Sequence, residues 1–130
     1  MRPVTLGQVL VSIVIPAFNE AKYLPKTLEA AHKARAVLGQ AGWASEVVVC
    51  DNNSTDGTAS VARANGARVV FEPFNQIAAS RNAAGRAARG DWLVFVDADT
   101  QVTPILFREM MRAMTREDCL GGGCPVTFDS

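Results

Sequence analysis

Two carboxylates one residue apart, Asp97 and Asp99, follow the apolar run 93–96. Such a run without polar alternation is typical of a strand buried on both faces of a parallel sheet. Side chains at positions i and i+2 of a strand point to the same side, so the two acids are expected to converge, with Ala98 turned away between them. Because like charges repel, a cation is expected beside them. Hard divalent cations prefer oxygen ligands, so we predict a metal ion that carries a phosphate.

Two further polar clusters follow predicted strands, at 16–20 and at 51–56. Each has a plain structural interpretation. Asn19 and Glu20 could only shape a turn, and 51–54 could be a turn followed by a helix cap. However, the carboxyl ends of parallel strands meet at one edge of a sheet, which is where ligands bind in open α/β folds. All three clusters are therefore expected to form one site.

The order of the elements indicates an α/β fold. Apolar, β-branched segments alternate with helical patterns, which predicts a three-layer α/β/α sandwich with a mostly parallel sheet. Pro16 is expected to end the first strand, and Ser54, Thr55 or Asp56 to cap the second helix. The predicted strands are 9–15, 46–50, 67–71, 93–96 and 119–128, and the predicted helices are 24–38, from the 54–56 caps to 64, 76–89 and 104–116.

Composition excludes several classes of protein. The chain has 130 residues, 48% of them apolar, with 13 basic and 13 acidic side chains, so it lacks the basic patch of a nucleic-acid-binding protein. No apolar stretch approaches the length of a transmembrane helix, and residues 1–3 do not resemble a secretion signal. Three cysteines without metal-ligand spacing are expected to be reduced and buried. These features predict a cytoplasmic location, with peripheral attachment to the inner face of the membrane as an alternative.

The motifs together resemble the family 2 glycosyltransferases. The resemblance spans nearly the whole chain and is carried by the segments 13–20, 47–58, 80–85 and 90–99. It implies the nucleotide-binding half of a GT-A fold. It also implies a nucleoside-diphosphate sugar donor, Mg²⁺ or Mn²⁺ on the diphosphate, and inverting transfer to a hydroxyl acceptor.

The resemblance also implies roles for individual residues. Asp99, together with Asp97, matches the metal-binding DxD motif, and Arg81 matches an arginine that can face the diphosphate. A solvated surface role remains the alternative for Arg81. The residues expected to bind the nucleotide sugar are Pro16, Ala17, Phe18, Asn19, Glu20, Asp51, Asn52, Asn53, Arg81, Asp97 and Ala98.

The sequence departs from the family pattern after Asp99. Only about thirty residues follow it, whereas the relatives continue through the elements that build the acceptor side. No general base is identified, and Asp129 does not match the usual base position. We therefore expect residues 1–130 to form one nucleotide-sugar-binding domain without the acceptor portion.

The sequence lacks the motifs of several other nucleotide- or phosphate-binding protein classes. The first turn lacks the glycines of a dinucleotide-binding domain, and no phosphate-binding P-loop or glycine-rich nucleotidyltransferase loop is present. A signalling receiver domain would need a lysine after a late strand, but all three lysines precede residue 34. A non-catalytic nucleotide-sugar-binding module or an incomplete enzyme fragment stays open, as does a homo-oligomer.

Overall fold

The computed structural model describes residues 9–114 and 126–128. They form a five-stranded sheet in the order β3-β2-β1-β4-β5, and every neighbouring pair is parallel. The strands are β1 (Leu10–Ala17), β2 (Ala44–Asp51), β3 (Arg68–Phe71), β4 (Trp92–Val96) and β5 (Val126–Phe128). The helices are α1 (Leu24–Gln40), α2 (Thr58–Ala64), α3 (Ile77–Ala87) and α4 (Pro104–Met114). The predicted α/β/α architecture is confirmed.

The helices cover both faces of the sheet unequally. α1 contacts α2 and α4 on one face, whereas on the other face α3 is the one described helix, and it packs against β1, β2 and β3. Alternate residues of β1 serve the two layers, because successive strand side chains point in opposite directions. Ile13 and Ile15 join the large core beneath α1, and Val14 packs with Cys50 and Ala84 beneath α3.

The strand order places a topological switch point between β1 and β4. From β1 the chain moves outward to β2 and β3, then returns through α3 to pair β4 with the opposite side of β1. The connections from β1 and β4 therefore leave in opposite directions. This opens a crevice at their carboxyl ends, where α/β proteins bind ligands.

The prediction that Pro16 ends β1 is wrong, because the strand continues through Pro16 to Ala17. The Ala17 carbonyl accepts a hydrogen bond from the Asn52 backbone N–H on the β2 side. The backbone nitrogen of the preceding residue, Pro16, therefore points to the β4 side, where pairing with β1 has already stopped at Val14. The missing N–H of the proline breaks no ladder hydrogen bond there, because β4 is no longer paired with β1 at that position.

The N-terminus of α2 also differs from expectation. The helix begins at Thr58, and Gly57 at the N-cap position makes no side-chain capping bond. Asp56, one residue earlier, accepts hydrogen bonds from the backbone N–H and hydroxyl of Thr58, the first helical residue, so one of the three expected capping residues does bond the start of the helix. The Ser54 hydroxyl instead accepts a hydrogen bond from the Asn19 N–H in the loop after β1. The polar segment 51–56 thus links the loop after β2 to the loop after β1.

Several expectations fall outside the described residues. They concern Cys119, Cys124, Asp129, the first part of the last predicted strand, and the end of α4 near Arg116. Cys50 is free and buried, as expected for a reduced cysteine. None of the helices that the structure describes has the length and apolar content needed to cross a lipid bilayer.

Candidate functional site

An open cleft of about 480 Å³ lies at the carboxyl ends of β1 and β4, at the switch point. Its walls come from the loops after β1, β2 and β4 and from the start of α3. The lining residues are Pro16, Ala17, Phe18, Glu20, Asn52, Asn75, Ile77, Ser80, Arg81, Asp97, Ala98 and Asp99. The three polar clusters of the sequence thus each contribute to one cleft.

Asn19 joins the loop after β1 to the loop before α2. Its backbone is left-handed, with φ of 53°, a conformation that asparagine adopts more readily than most residues. Its N–H donates to the Ser54 hydroxyl over 2.9 Å, and its side-chain oxygen accepts from the Thr55 N–H over 2.8 Å. Thr58 anchors the next residue by accepting from the Glu20 N–H over 3.0 Å. Asn19 does not line the cleft, and its bonds hold Glu20 in the cleft wall.

The second polar cluster splits between turn and cleft. The Asp51 carboxylate accepts from the Ser54 N–H over 3.0 Å, and Asn53 is left-handed, with φ of 58°. Neither residue lines the cleft. Asn52 does, and it is 5% exposed. Its amide nitrogen donates to the carbonyls of Glu72, over 3.1 Å, and Phe74.

The two acids after β4 lie in a turn rather than on the strand. β4 ends at Val96, so strand alternation does not align Asp97 and Asp99. The turn is held by the buried Ala98, whose carbonyl accepts from the Thr27 hydroxyl over 2.5 Å. Both acids and Ala98 line the cleft, with Asp97 partly buried and Asp99 exposed.

Negative charge accumulates in the cleft. Burial raises the pKa of Glu20 above its usual value, and repulsion from Asp99, Asp56 and Asp97 raises it further. A carboxylate whose ionisation is opposed by burial and by neighbouring acids is a common feature of functional sites. The arrangement favours a cation as ligand.

Arg81 brings a positive charge to the same cleft from α3. Its guanidinium carbon Cζ lies 4.4 Å from the centroid of the Phe95 ring on β4. The described ion pairs of the chain are Lys33–Glu29, Arg68–Glu46 and Arg112–Glu109, and none of them includes Arg81. Among the described residues, no carboxylate therefore forms an ion pair with Arg81.

Sequence reasoning missed two lining residues, Asn75 and Ile77, and gave no role to a third, Ser80. Asn75 donates to the backbone carbonyl of Asn52 over 2.8 Å, which links the segment before α3 to the second cluster. Ile77 is 73% exposed at the start of α3. The segment 72–77 carries no motif of its own, so only its position beside the cleft reveals it.

The acidic side of the cleft fits a divalent ion that is shared with a ligand. Within residues 9–114, no group of three His, Cys, Asp or Glu side chains forms a complete metal site. Mg²⁺ and similar ions commonly take one or two protein carboxylates and complete their shell with substrate phosphates and water. Asp97 and Asp99 supply such a partial set of ligands beside Arg81, a cation suited to phosphate.

Comparison with known proteins decides the family. The sequence model of glycosyl transferase family 2 matches residues 12–130, nearly the whole chain. The chain belongs to this family.

The curated relatives are longer proteins. An uncharacterized glycosyltransferase of Mycobacterium tuberculosis is 39% identical over 89 residues, which is 68% of this chain and 36% of the relative. One of Rickettsia bellii is 34% identical over 82 residues, which is 63% of this chain and 28% of the relative. The chain thus spans about a third of the length of these family members.

Solved structures of family members share the fold. Glucosyl-3-phosphoglycerate synthase of M. tuberculosis is 27% identical and covers 84% of this chain, which matches 42% of the synthase, with a TM-score of 0.69. Another crystal structure of that synthase is a complex with Mn²⁺, uridine diphosphate and glucosyl-3-phosphoglycerate. It is 26% identical, with 84% and 41% of the two chains covered and a TM-score of 0.68.

Proposed function

We propose that the cleft binds a nucleoside-diphosphate sugar together with a divalent metal ion, as the donor-binding part of a glycosyltransferase. The observation that carries the proposal is the placement of Asp97, Asp99 and Arg81 in one cleft at the switch point of the sheet. A metal diphosphate carries both positive and negative charge, and so does the lining of this cleft. Residues 1–130 are proposed to act as one donor-binding domain.

Asp99 and Asp97 are the proposed metal ligands. Asp99 is the more exposed of the two, and the turn that carries both is fixed by the bond from Thr27 to the Ala98 carbonyl. When bound, Mg²⁺ or Mn²⁺ would stabilise the negative charge that develops on a departing nucleoside diphosphate. The complex of the related synthase with Mn²⁺ and uridine diphosphate supports this assignment.

Asn52 supports uridine diphosphate as the nucleotide. Its amide nitrogen already donates to two backbone carbonyls, so its side-chain oxygen is the group that it can offer to a ligand. That oxygen accepts hydrogen bonds and cannot donate them. It therefore suits the N3–H of uracil, whereas the same position in cytosine is itself an acceptor. Pro16, Ala17 and Phe18 complete this wall of the cleft.

Inverting transfer to an acceptor hydroxyl is the proposed reaction of the complete enzyme. Such a reaction needs a carboxylate base to take the proton of the hydroxyl. Glu20, Asp97 and Asp99 line the donor cleft and are assigned to the donor and its metal, so none of them is proposed as that base. We expect residues 1–130 by themselves to bind the donor with little or no transfer.

Calorimetric titration tests the proposal. Uridine diphosphate should bind in the presence of Mn²⁺, and the affinity should fall about 100-fold in a chelator or in Asp99→Asn, because a metal-phosphate contact is lost. Asp91→Asn is the matched control, since the Asp91 carboxylate bonds the Leu10 N–H at the opposite end of the sheet. Undiminished binding in the chelator would contradict the role given to Asp99.

The nucleobase assignment has its own matched pair of ligands. Uridine and cytidine diphosphates differ only at the base edge that Asn52 is proposed to contact. We expect uridine diphosphate to bind about tenfold more tightly, and Asn52→Ala to reduce that preference. Equal affinities in the wild-type protein would remove the assignment.

A donor-turnover assay separates the transferase from a binding module. A longer protein that contains this chain should transfer sugar from the donor to a hydroxyl compound and lose that activity in Asp99→Asn. Tight, metal-dependent binding without transfer or donor hydrolysis in that longer protein would favour the non-catalytic module.

A further inference from the structure

The contact between Arg81 and Phe95 is the one described interaction of the Arg81 side chain. The two residues come from different elements, α3 and β4, and the guanidinium lies over the ring at 4.4 Å. Arg81 lines the cleft, whereas Phe95 lies behind it and is not part of the lining. Phe95 thus contacts the cleft only through another side chain.

An aromatic ring holds a guanidinium without consuming its hydrogen-bond donors. The five N–H groups of arginine lie in the plane of the guanidinium, and an aromatic ring in contact with it, unlike a carboxylate, has no oxygen to accept hydrogen bonds from them. A carboxylate partner would occupy two of the donors and cancel the charge. Elsewhere in the described chain arginines do have carboxylate partners, as Arg68 has Glu46 and Arg112 has Glu109. Arg81 is therefore positioned yet still able to bind an anion.

Phe95 is itself held in place from behind. It packs against the small core formed by Val14, Cys50 and Ala84 beneath α3. Ala84 is fully buried and lies one helical turn after Arg81 on the same helix. The ring and the helix that carries the guanidinium thus rest on the same core, which fixes their relative positions.

We propose that Phe95 is a positioning residue for donor binding, which fixes the Arg81 guanidinium so that its free edge receives the diphosphate. The inference rests on the proposed function of the cleft. The expected benefit is preorganisation, because a long arginine side chain that is already ordered loses less conformational freedom when the ligand binds.

A double-mutant cycle on the full chain tests the inference, with uridine diphosphate and Mn²⁺ as the probe. Phe95→Leu should weaken binding about five- to tenfold, in line with the strength of a partly desolvated cation–π contact. In an Arg81→Ala background the same substitution should change affinity less than about twofold, because the side chain that it positions is gone. Phe95→Tyr keeps the ring and should restore binding.

The cycle separates positioning from general support of the fold. If Phe95→Leu weakens binding equally with and without Arg81, or if Arg81→Ala alone leaves binding unchanged, the inference is wrong. Thermal unfolding of each variant monitors the fold, and Phe95→Met, which also lacks a ring, replaces Phe95→Leu if that variant does not fold. No metal-dependent binding in the wild-type protein would instead overturn the proposed function.

Discussion

The two ends of the sheet both contain a partly buried glutamate, and the two environments are opposite. At the amino ends of the strands, Glu46 accepts from the Ser12 hydroxyl over 2.5 Å, the Arg89 N–H over 2.7 Å and Arg68 over 3.0 Å. Burial raises the pKa of Glu46, but these hydrogen bonds and the charge of Arg68 outweigh burial and lower the pKa below 4.5. This carboxylate is stable in its ionised form.

At the carboxyl ends, Glu20 has acids as neighbours instead of donors. Burial and the charges of Asp99, Asp56 and Asp97 all raise its pKa. Residue type and burial therefore do not distinguish a structural acid from a functional one. The distinction lies in whether the fold itself supplies the donors and the opposite charge. By that criterion, the amino-end network stabilises the fold and the carboxyl-end cleft is suited to a ligand.

The largest expected effect on stability comes from Gly90→Ala, which disrupts the hydrogen-bond network at the amino ends of the strands. A Cβ atom there would lie 2.6 Å from the Ser12 hydroxyl and 2.9 Å from the Leu10 carbonyl oxygen, so Gly90→Ala must displace backbone. We expect the free energy of unfolding, measured with urea, to fall by about 3 kcal/mol. Gly39→Ala is the control. No atom lies within 4 Å of its added Cβ, so this helical substitution should raise stability by about 0.5–1 kcal/mol.

The next effect comes from Glu46→Gln. This variant should lose about 2 kcal/mol of stability at neutral pH, because hydrogen bonds to a charged group are replaced by weaker ones. The folded pKa is lower than the unfolded pKa, so the wild-type advantage is complete above about pH 4.5 and is lost as pH falls through the folded pKa. Urea unfolding of both proteins across that range measures it. A difference that is independent of pH would contradict the role of the charge.

The smallest effect is expected for the matched substitution at the other end, Glu20→Gln. Removal of a charge that three acids oppose should leave stability unchanged or raise it, within about 0.5 kcal/mol. The same measurement, urea unfolding at neutral pH, gives a direct contrast with Glu46→Gln. A loss equal to that of Glu46→Gln would show that the two ends of the sheet do not differ as described.

The sequence revealed the sheet because its strands are buried on both faces. Continuous apolar runs such as 13–15 and 47–49 are typical of that environment, and the start of α1 at Leu24 followed from the proline after it. The end of β1 was not predictable from Pro16 alone. Whether a proline interrupts a strand depends on which side still has a partner, and that is a property of the whole sheet.

The sequence predicted the site residues that belong to motifs, and it missed those that only the folded chain brings to the cleft. Asp97 and Asp99 line the cleft as expected, but a turn rather than strand alternation places them there. Asn19 was assigned to the ligand, yet its side-chain oxygen already accepts from N–H groups 36 and 37 residues along the chain. Such contacts, and the approach of Asn75 and Ile77, depend on tertiary structure and leave no local pattern.

The most direct test of the central claim locates the metal. Mn²⁺ is paramagnetic, so NMR signals of amides close to the ion broaden. With uridine diphosphate present, we expect the strongest broadening at Ala98 and Asp99, falling with distance to its weakest at Glu46 and Gly90 at the opposite end of the sheet. Broadening centred on Glu46, or none that is specific to the cleft, would contradict it.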